Sequence, residues 1–371
     1  MPYLNVEEVE SAVRVAAAEN PGFTQLITLP HLTWEGRQCH ALKVASGSGP
    51  DRVGVYLLGG VHAREWGSPD ILVYLIEQLA EAYRTPTGLT LGGKSFTAQE
   101  IQQIVNTLDL LVFPQANPDG RFHSMTTDAM WRKNRRPAPP GSPGSPDCIG
   151  VDINRNYDFL WHYPDYFSPS AAVQNSTDPC DPEVYIGPGA VSEPETQNAV
   201  WIMDNFPNIR FFIDLHSYGE DILHSWGDDE DQSTDPDMNF RNPAYNHMRG
   251  NAADNAYREY IEANDLNLAV DLANAMRDAI QAVRGRTYTV ESSFALYPTA
   301  GTSDDYAFSR YLVDSSKAKM IAYTIEWGSE HNPTPFHPPY RQMQHIIQEV
   351  TSGLLEFCLR VMQVEGRAGV I

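Results

Sequence analysis

Apolar positions along this chain fall into two alternating kinds of run. Short, nearly unbroken runs at residues 53–60, 108–114, 211–215 and 321–325 read as buried strands, and 38–44 reads as an early strand. Between them, residues 7–18, 69–83, 99–107, 268–283 and 342–361 repeat apolar side chains at helical spacing. Ser192-Glu193-Pro194-Glu195 has the spacing of a capping box with proline in the first turn, and predicts a helix to residue 205. Asn117-Pro118-Asp119-Gly120 reads as a turn. Residues 121–186 then form a long irregular stretch rich in Pro, Gly, Ser and Asp, of a length that tends to serve function inside a compact domain. Strand and helix alternate with no internal repeat, so the pattern predicts one α/β domain around a mainly parallel or mixed sheet.

Three of the strands end in polar chemistry. The run at 53–60 is followed by His62 and Glu65, the run at 211–215 by His216, and the run at 321–325 by Glu326. In an open α/β sheet, ligands bind outside the C-terminal ends of the strands, where residues distant in sequence meet in one crevice. A lone H-x-x-E pair is more often a core histidine with a carboxylate partner than a metal site. Here a second histidine is available, and two histidines plus a glutamate with an open fourth position is the pattern of a catalytic zinc. The spacing differs from the helical HExxH, whose glutamate is a base, because Glu65 would itself be a ligand. Among the remaining histidines, His216 alone directly follows a buried strand.

Composition narrows the partners. With 26 basic and 48 acidic residues the net charge is -22, which argues against nucleic acid or an anionic membrane and favours approach of basic peptides. No apolar run is long enough to span a bilayer, and the N-terminal residues lack the pattern of a signal peptide, so no compartment is indicated. Cys39 and Cys358 lie in apolar contexts and read as buried thiols, whereas Cys148 and Cys180 flank a loop-rich segment. Asp228-Asp229-Glu230-Asp231 lacks the spacing and glycine of an EF-hand loop and reads as a solvated acidic loop.

Taken together, the chain resembles zinc carboxypeptidases of the pancreatic A/B type. The resemblance rests on His62-Ala63-Arg64-Glu65-Trp66, Asn117-Pro118-Asp119-Gly120, Trp131-Arg132-Lys133, Gly150-Val151-Asp152-Ile153-Asn154-Arg155-Asn156, His216-Ser217-Tyr218, Tyr297-Pro298-Thr299-Ala300-Gly301-Thr302-Ser303-Asp304-Asp305 and Thr324-Ile325-Glu326, in the family's order. It implies a single domain over residues 1–371, with a mixed, mostly parallel eight-stranded sheet flanked by helices; the stretch before His62 is long enough only for that domain's own first elements, so the chain is expected to depart from the family in having no pro-domain. It also implies one zinc ion per chain held by His62, Glu65 and His216, with Asp152 orienting His62. Glu326 would be the general base, and Arg132 would face the oxyanion. Asn154 and Arg155 would bind the free C-terminal carboxylate of a peptide or protein, Tyr297 would close over the bound residue, and Arg64 would contact the substrate farther out. A Cys148–Cys180 bridge and a monomeric enzyme are further implications.

Specificity turns on Asp304, which matches the family position at the pocket base. An unpaired carboxylate there implies a preference for Lys or Arg, with the small Ser292 aligned near the same pocket. The alternatives are that Asp304 pairs with a protein cation or caps a helix. Arg132 likewise has a structural alternative, as part of a basic patch with Arg135 and Arg136. Two other functions remain open at this stage. One is a zinc amidase acting on an N-acylated amino acid or biosynthetic peptide. The other is a zinc-binding module without catalysis, which would be expected to lack the base or the arginine that Glu326 and Arg132 supply. The stretches 148–180 and 228–264 look longer than in the pancreatic type and are expected to border the cleft.

Overall fold

The computed structural model describes residues 3–49, 52–252 and 256–368. Eight strands form one sheet: β1 (Thr24–Thr28), β2 (His40–Val44), β3 (Val53–Gly59), β4 (Leu108–Phe113), β5 (Ile209–His216), β6 (Asp221–His224), β7 (Thr289–Ser292) and β8 (Ile321–Glu326). Their spatial order is β1-β2-β4-β3-β5-β8-β6-β7. The four central strands β4, β3, β5 and β8 run parallel, while β2, β6 and β7 run against them. The near-continuous apolar runs of the sequence are these central strands. Parallel strands carry helices on both faces and so are buried on both. The missed strands β1, β6 and β7 are short and partly polar; β1 and β7 are the sheet edges, and β6 lies between β8 and β7.

Helices α1 (Val6–Glu19), α2 (Gly67–Arg84), α3 (Ala98–Thr107), α4 (Pro118–Thr126), α5 (Pro194–Asn205), α6 (Ala263–Arg284), α7 (Ser303–Val313) and α8 (Tyr340–Ala368) complete the domain. Capping boxes start α1 and α3, with Asn5 paired to Glu8 and Thr97 to Glu100. Gly285, at φ 84°, ends α6 in the left-handed conformation open to glycine. No helix among the described residues is long and apolar enough to cross a membrane. Cys39 and Cys358 are buried and free, and Cys148 and Cys180 form a disulfide.

Three sequence expectations fail for physical reasons. Asn117 is the N-cap of α4 rather than part of a turn, its side chain accepting from Gly120 N at 2.9 Å. The same Asx chemistry serves both purposes, and the following residues decide which. At α5 the capping box does not form. Glu193 is the N-cap without a side-chain cap, and its carboxylate turns inward to Trp34, Asn134 and Arg136. The Ser192 hydroxyl donates to Glu193 instead. Finally, the acidic run is not solvated throughout, since Asp228 and Asp229 are buried. Arg249 Nε lies 3.7 Å from Asp228, and Gly250 N donates to Asp229 at 2.7 Å. Burial, helped by the neighbouring Asp228, pushes Asp229 up to about 7.

The fold places three strand ends side by side. Gly59 of β3 is in register with Leu215 of β5, and His216 of β5 with Glu326 of β8. Gly60, at φ +66°, turns the chain out of β3, and a Cβ there would lie 3.1 Å from Pro114 O. That close approach lets the segment carrying His62 and Glu65 fold back over the sheet edge.

Candidate active site

At this edge the side chains of His62, Glu65 and His216 converge, with one ligand atom from each lying within 4.8 Å of the others. His62 Nδ1 is 2.7 Å from Glu65 Oε1, and His216 Nδ1 is 3.1 Å from Glu65 Oε2. The two Nδ1 atoms face one another at 3.0 Å. Both rings carry a carboxylate on the opposite nitrogen: Asp152 Oδ1 at 3.1 Å from His62 Nε2 and Asp214 Oδ2 at 3.0 Å from His216 Nε2. A carboxylate at Nε2 favours the proton there and leaves the Nδ1 lone pairs aimed at one point, which fits a metal cation.

The electrostatics describe the same hole. Burial opposes charge on His216, yet Asp214 and Glu65 raise its pKa well above the ordinary imidazole value. Burial would raise Glu65, but His62 and His216 hold it far below the usual carboxylate range. Three buried carboxylates around two imidazoles form a pocket for positive charge, and a divalent cation supplies it. Among the described residues no other group of three His, Cys, Asp or Glu side chains converges in this way.

Beside this centre a cleft of about 570 Å3 is lined by His62, Arg64, Glu65, Arg132, Asn154, Arg155, Tyr218, Tyr297, Glu326, Asp221, Glu330 and Phe336, among others. Glu326 Oε2 is buried without a hydrogen-bond partner. Burial pushes Glu326 up to about 8; His216 and Arg132 oppose this, while Glu65 and Asp221 add to it. Arg132 donates from Nε and Nη2 to Asp152 Oδ2 at 3.0 and 2.9 Å, so Asp152 holds both a candidate ligand and this arginine. Burial works against the Arg132 charge, but Asp152 and Glu65 more than offset it. It is therefore an anchored member of the site, not part of a solvated patch.

Arg155 is 3% exposed and is held by donation from Nε to Gln174 O and from Nη1 to Asn154 O. No carboxylate among the described residues lies within ion-pair distance of it. Asn154 Oδ1 accepts from Ser303 N at 2.8 Å, which ties the Asn154-Arg155 segment to the start of α7. Gly301, at φ +68°, allows the second tie: a Cβ there would sit 2.4 Å from Arg155 O. Tyr297 is 37% exposed at the cleft mouth. Arg64 is already engaged, with Nη2 2.7 Å from Glu183 Oε2 and its guanidinium 4.3 Å above the Phe336 ring.

Off the cleft opens a recess of about 40 Å3, lined by Asn154, Arg155, Leu223, Ser293, Leu296, Tyr297, Asp304 and Thr324, among others. Asp304 is 2% exposed, accepting from Ser293 Oγ at 2.8 Å and from Asp305 N at 3.0 Å. No cation among the described residues pairs with it. Its position in the first turn of α7 also gives it the favourable helix end, so part of the capping alternative holds. Asp305 accepts from Gly227 N, and burial together with Asp304 raises its pKa far above the carboxylate range. Of the two, Asp304 is the one that lines the recess. Ser293, not Ser292, reaches this recess. Leu296 and Tyr297 line both this small recess and the main cleft, so they stand where the two meet.

Contributors that the sequence does not single out include Asp214, Ser293, Asp221, Glu330 and Phe336. Asp214 had a visible signal, being an acid within an apolar strand, two residues before His216 and so on the same face. The 228–264 stretch, expected at the cleft, contributes no described residue to its lining. Of the 148–180 stretch, Asn154 and Arg155 line it.

A parallel-centred α/β sheet with a buried His-Glu-His set at its C-terminal edge defines a protein built around a single metal site of catalytic type. The sequence profile of the zinc carboxypeptidase family matches residues 9–353, and the chain belongs to that family. It is 28% identical over 307 residues to carboxypeptidase A2 of Rattus norvegicus, covering 82% of this chain and 59% of that relative. It is also 28% identical over 327 residues to carboxypeptidase B of Astacus astacus, covering 87% of this chain and 86% of that one. The chain therefore spans about three fifths of the rat relative's length. The carboxypeptidase A structure from Helicoverpa armigera superposes with a TM-score of 0.72 at 23% identity, covering 96% of this chain and 73% of that one, which bears out the expected fold.

Proposed function

We propose that this chain is a zinc-dependent exopeptidase that removes the C-terminal residue of peptides, preferring Lys or Arg. The observation that carries the reading is a buried cation and a buried anion, Arg155 and Asp304, both without an oppositely charged partner among the described residues, lining one recess beside the metal-type centre. Arg155 is suited to a terminal carboxylate, which it can grip with two donors, and Asp304 to a cationic side chain lying beyond it. The outer wall of the cleft is acidic as well, through Asp221 and Glu330.

His62, Glu65 and His216 are the proposed ligands. Bound there, zinc supplies a Lewis acid that polarises the scissile carbonyl and lowers the pKa of a water to about 7. Glu326 then takes the proton of the attacking water and returns it to the departing amine. Arg132, anchored by Asp152, donates to the oxygen on which negative charge develops. Asn154 and Arg155 hold the carboxylate, so the peptide bond next to the chain end falls beside Glu326. Tyr297 covers the bound residue.

A set of peptides differing only in the last residue, with a C-terminally amidated control, tests this directly. Free Lys and Arg ends are expected to be cut fastest and the amidated control to be spared. Equal cleavage of the amidated peptide overturns the exopeptidase reading, and a preference for Phe or Leu overturns the role of Asp304. Hydrolysis of N-acylated amino acids but not of peptides would favour the amidase alternative. Replacing Asp304 by Ile removes the buried charge and fills the recess with apolar volume. The Lys-to-Leu ratio of kcat/KM is expected to fall by roughly 100-fold, equivalent to about 3 kcal/mol for breaking a buried ion pair.

The acid limb of the rate profile reports Glu326, since only its carboxylate form accepts a proton. Asp221 raises the Glu326 pKa by like-charge repulsion. Asp221→Asn removes that repulsion, favours the charged form, and is expected to move the acid limb of kcat/KM to lower pH. An upward shift would contradict the assignment.

A further inference from the structure

We propose that Asp214 is a positioning residue for the metal, and that with Ser303 it forms a strut joining His216 to the helix end that carries Asp304. The inference rests on the reading of His216 as a zinc ligand. Asp214 is fully buried near the C-terminal end of β5, two residues before His216, and its Oδ2 makes two contacts. It accepts from Ser303 Oγ at 2.7 Å and lies 3.0 Å from His216 Nε2. Ser303 is the first residue of α7, is itself fully buried, and donates its backbone N–H to Asn154 Oδ1. A continuous chain of contacts therefore runs from the carboxylate-binding segment through the start of α7 to the metal centre.

The placement has an energetic reason. A buried carboxylate without partners is strongly unfavourable, and among the described residues the side-chain hydrogen bond to Asp214 comes from the Ser303 hydroxyl, with the His216 imidazole 3.0 Å away. With Asp214 fixed from one side by Ser303, its approach to Nε2 sets the tautomer and the rotation of the His216 ring. The Nδ1 lone pair is then directed at the ligand point instead of sampling other orientations. Asp152 does the same for His62, but it is fixed by Arg132, a residue of the cleft itself. The two histidines are thus braced from different parts of the fold, one from the oxyanion side and one from the specificity side.

The test is zinc affinity, measured by competition with a chelator, alongside the melting temperature of the metal-free protein. Asp214→Asn is expected to weaken zinc by about 10- to 100-fold, with little change in the melting temperature of the metal-free form. Ser303→Ala, which touches no ligand, is expected to weaken zinc by about fivefold, the worth of one hydrogen bond. The double variant should bind zinc no more weakly than Asp214→Asn alone, because Ser303 acts through Asp214. Zinc affinity within twofold of wild type in Asp214→Asn overturns the proposal, and so does full additivity in the double variant. Should Asp214→Asn not fold, Ser303→Ala decides on its own: an unchanged affinity rejects the strut. Wild-type protein that binds no zinc removes the underlying reading of the site, a result distinct from either.

Discussion

Glu326→Gln is expected to keep its zinc and to lose turnover by about 1,000-fold, within the range usual for a general base. The amide has nearly the shape of the carboxylate but cannot take the proton of the attacking water. The ligand set of His62, Glu65 and His216 is untouched, so metal content measured on the purified variant should equal that of wild type. Stability should not fall either. Glu326 is half-buried with its Oε2 enclosed and unpaired, burial pushes its pKa up to about 8, and a neutral group of the same size relieves the cost of enclosing charge. Turnover within tenfold of wild type would reject Glu326 as the base.

Removal of zinc by a chelator is expected to abolish hydrolysis, and zinc added back is expected to restore it. The same treatment should lower the melting temperature. Glu65, Asp152 and Asp214 all approach the two histidines, and the dication offsets their mutual repulsion. At free zinc 1,000 times the dissociation constant, the linkage contributes about 4 kcal/mol to stability. Activity that survives complete metal removal would sink the mechanism, and an unchanged melting temperature would contradict the electrostatic account of the site.

Much of this protein is legible in one dimension because its signals are local. A central parallel strand must be apolar on both faces, so β3, β4, β5 and β8 announce themselves as runs. The residue that follows such a run is placed at the sheet edge by chain continuity alone. That is why His62, His216 and Glu326 stand out before any coordinates exist. Short strands at or next to the sheet edges obey no such rule: β1 and β7 are the edges, β6 lies just inside β7, and none of the three stands out as an apolar run. The acidic stretch after Trp226 misled for a related reason. Charge predicts exposure only where no buried cation answers it, and Arg249, which lies beside Asp228, is remote in sequence.

Sequence by itself determined the fold class, from the pattern of apolar runs, and the family resemblance and proposed ligand set, from short motifs kept in order along the chain. Only the tertiary structure decided what each charged side chain faces. It showed Arg132 anchored to Asp152, Arg64 engaged with Glu183, and Arg155 and Asp304 lining one recess without oppositely charged partners among the described residues. It also revealed Asp214 behind His216. The strength and even the sign of an electrostatic interaction depend on distance and burial over a few ångströms, and these are properties of packing between segments that no linear spacing encodes.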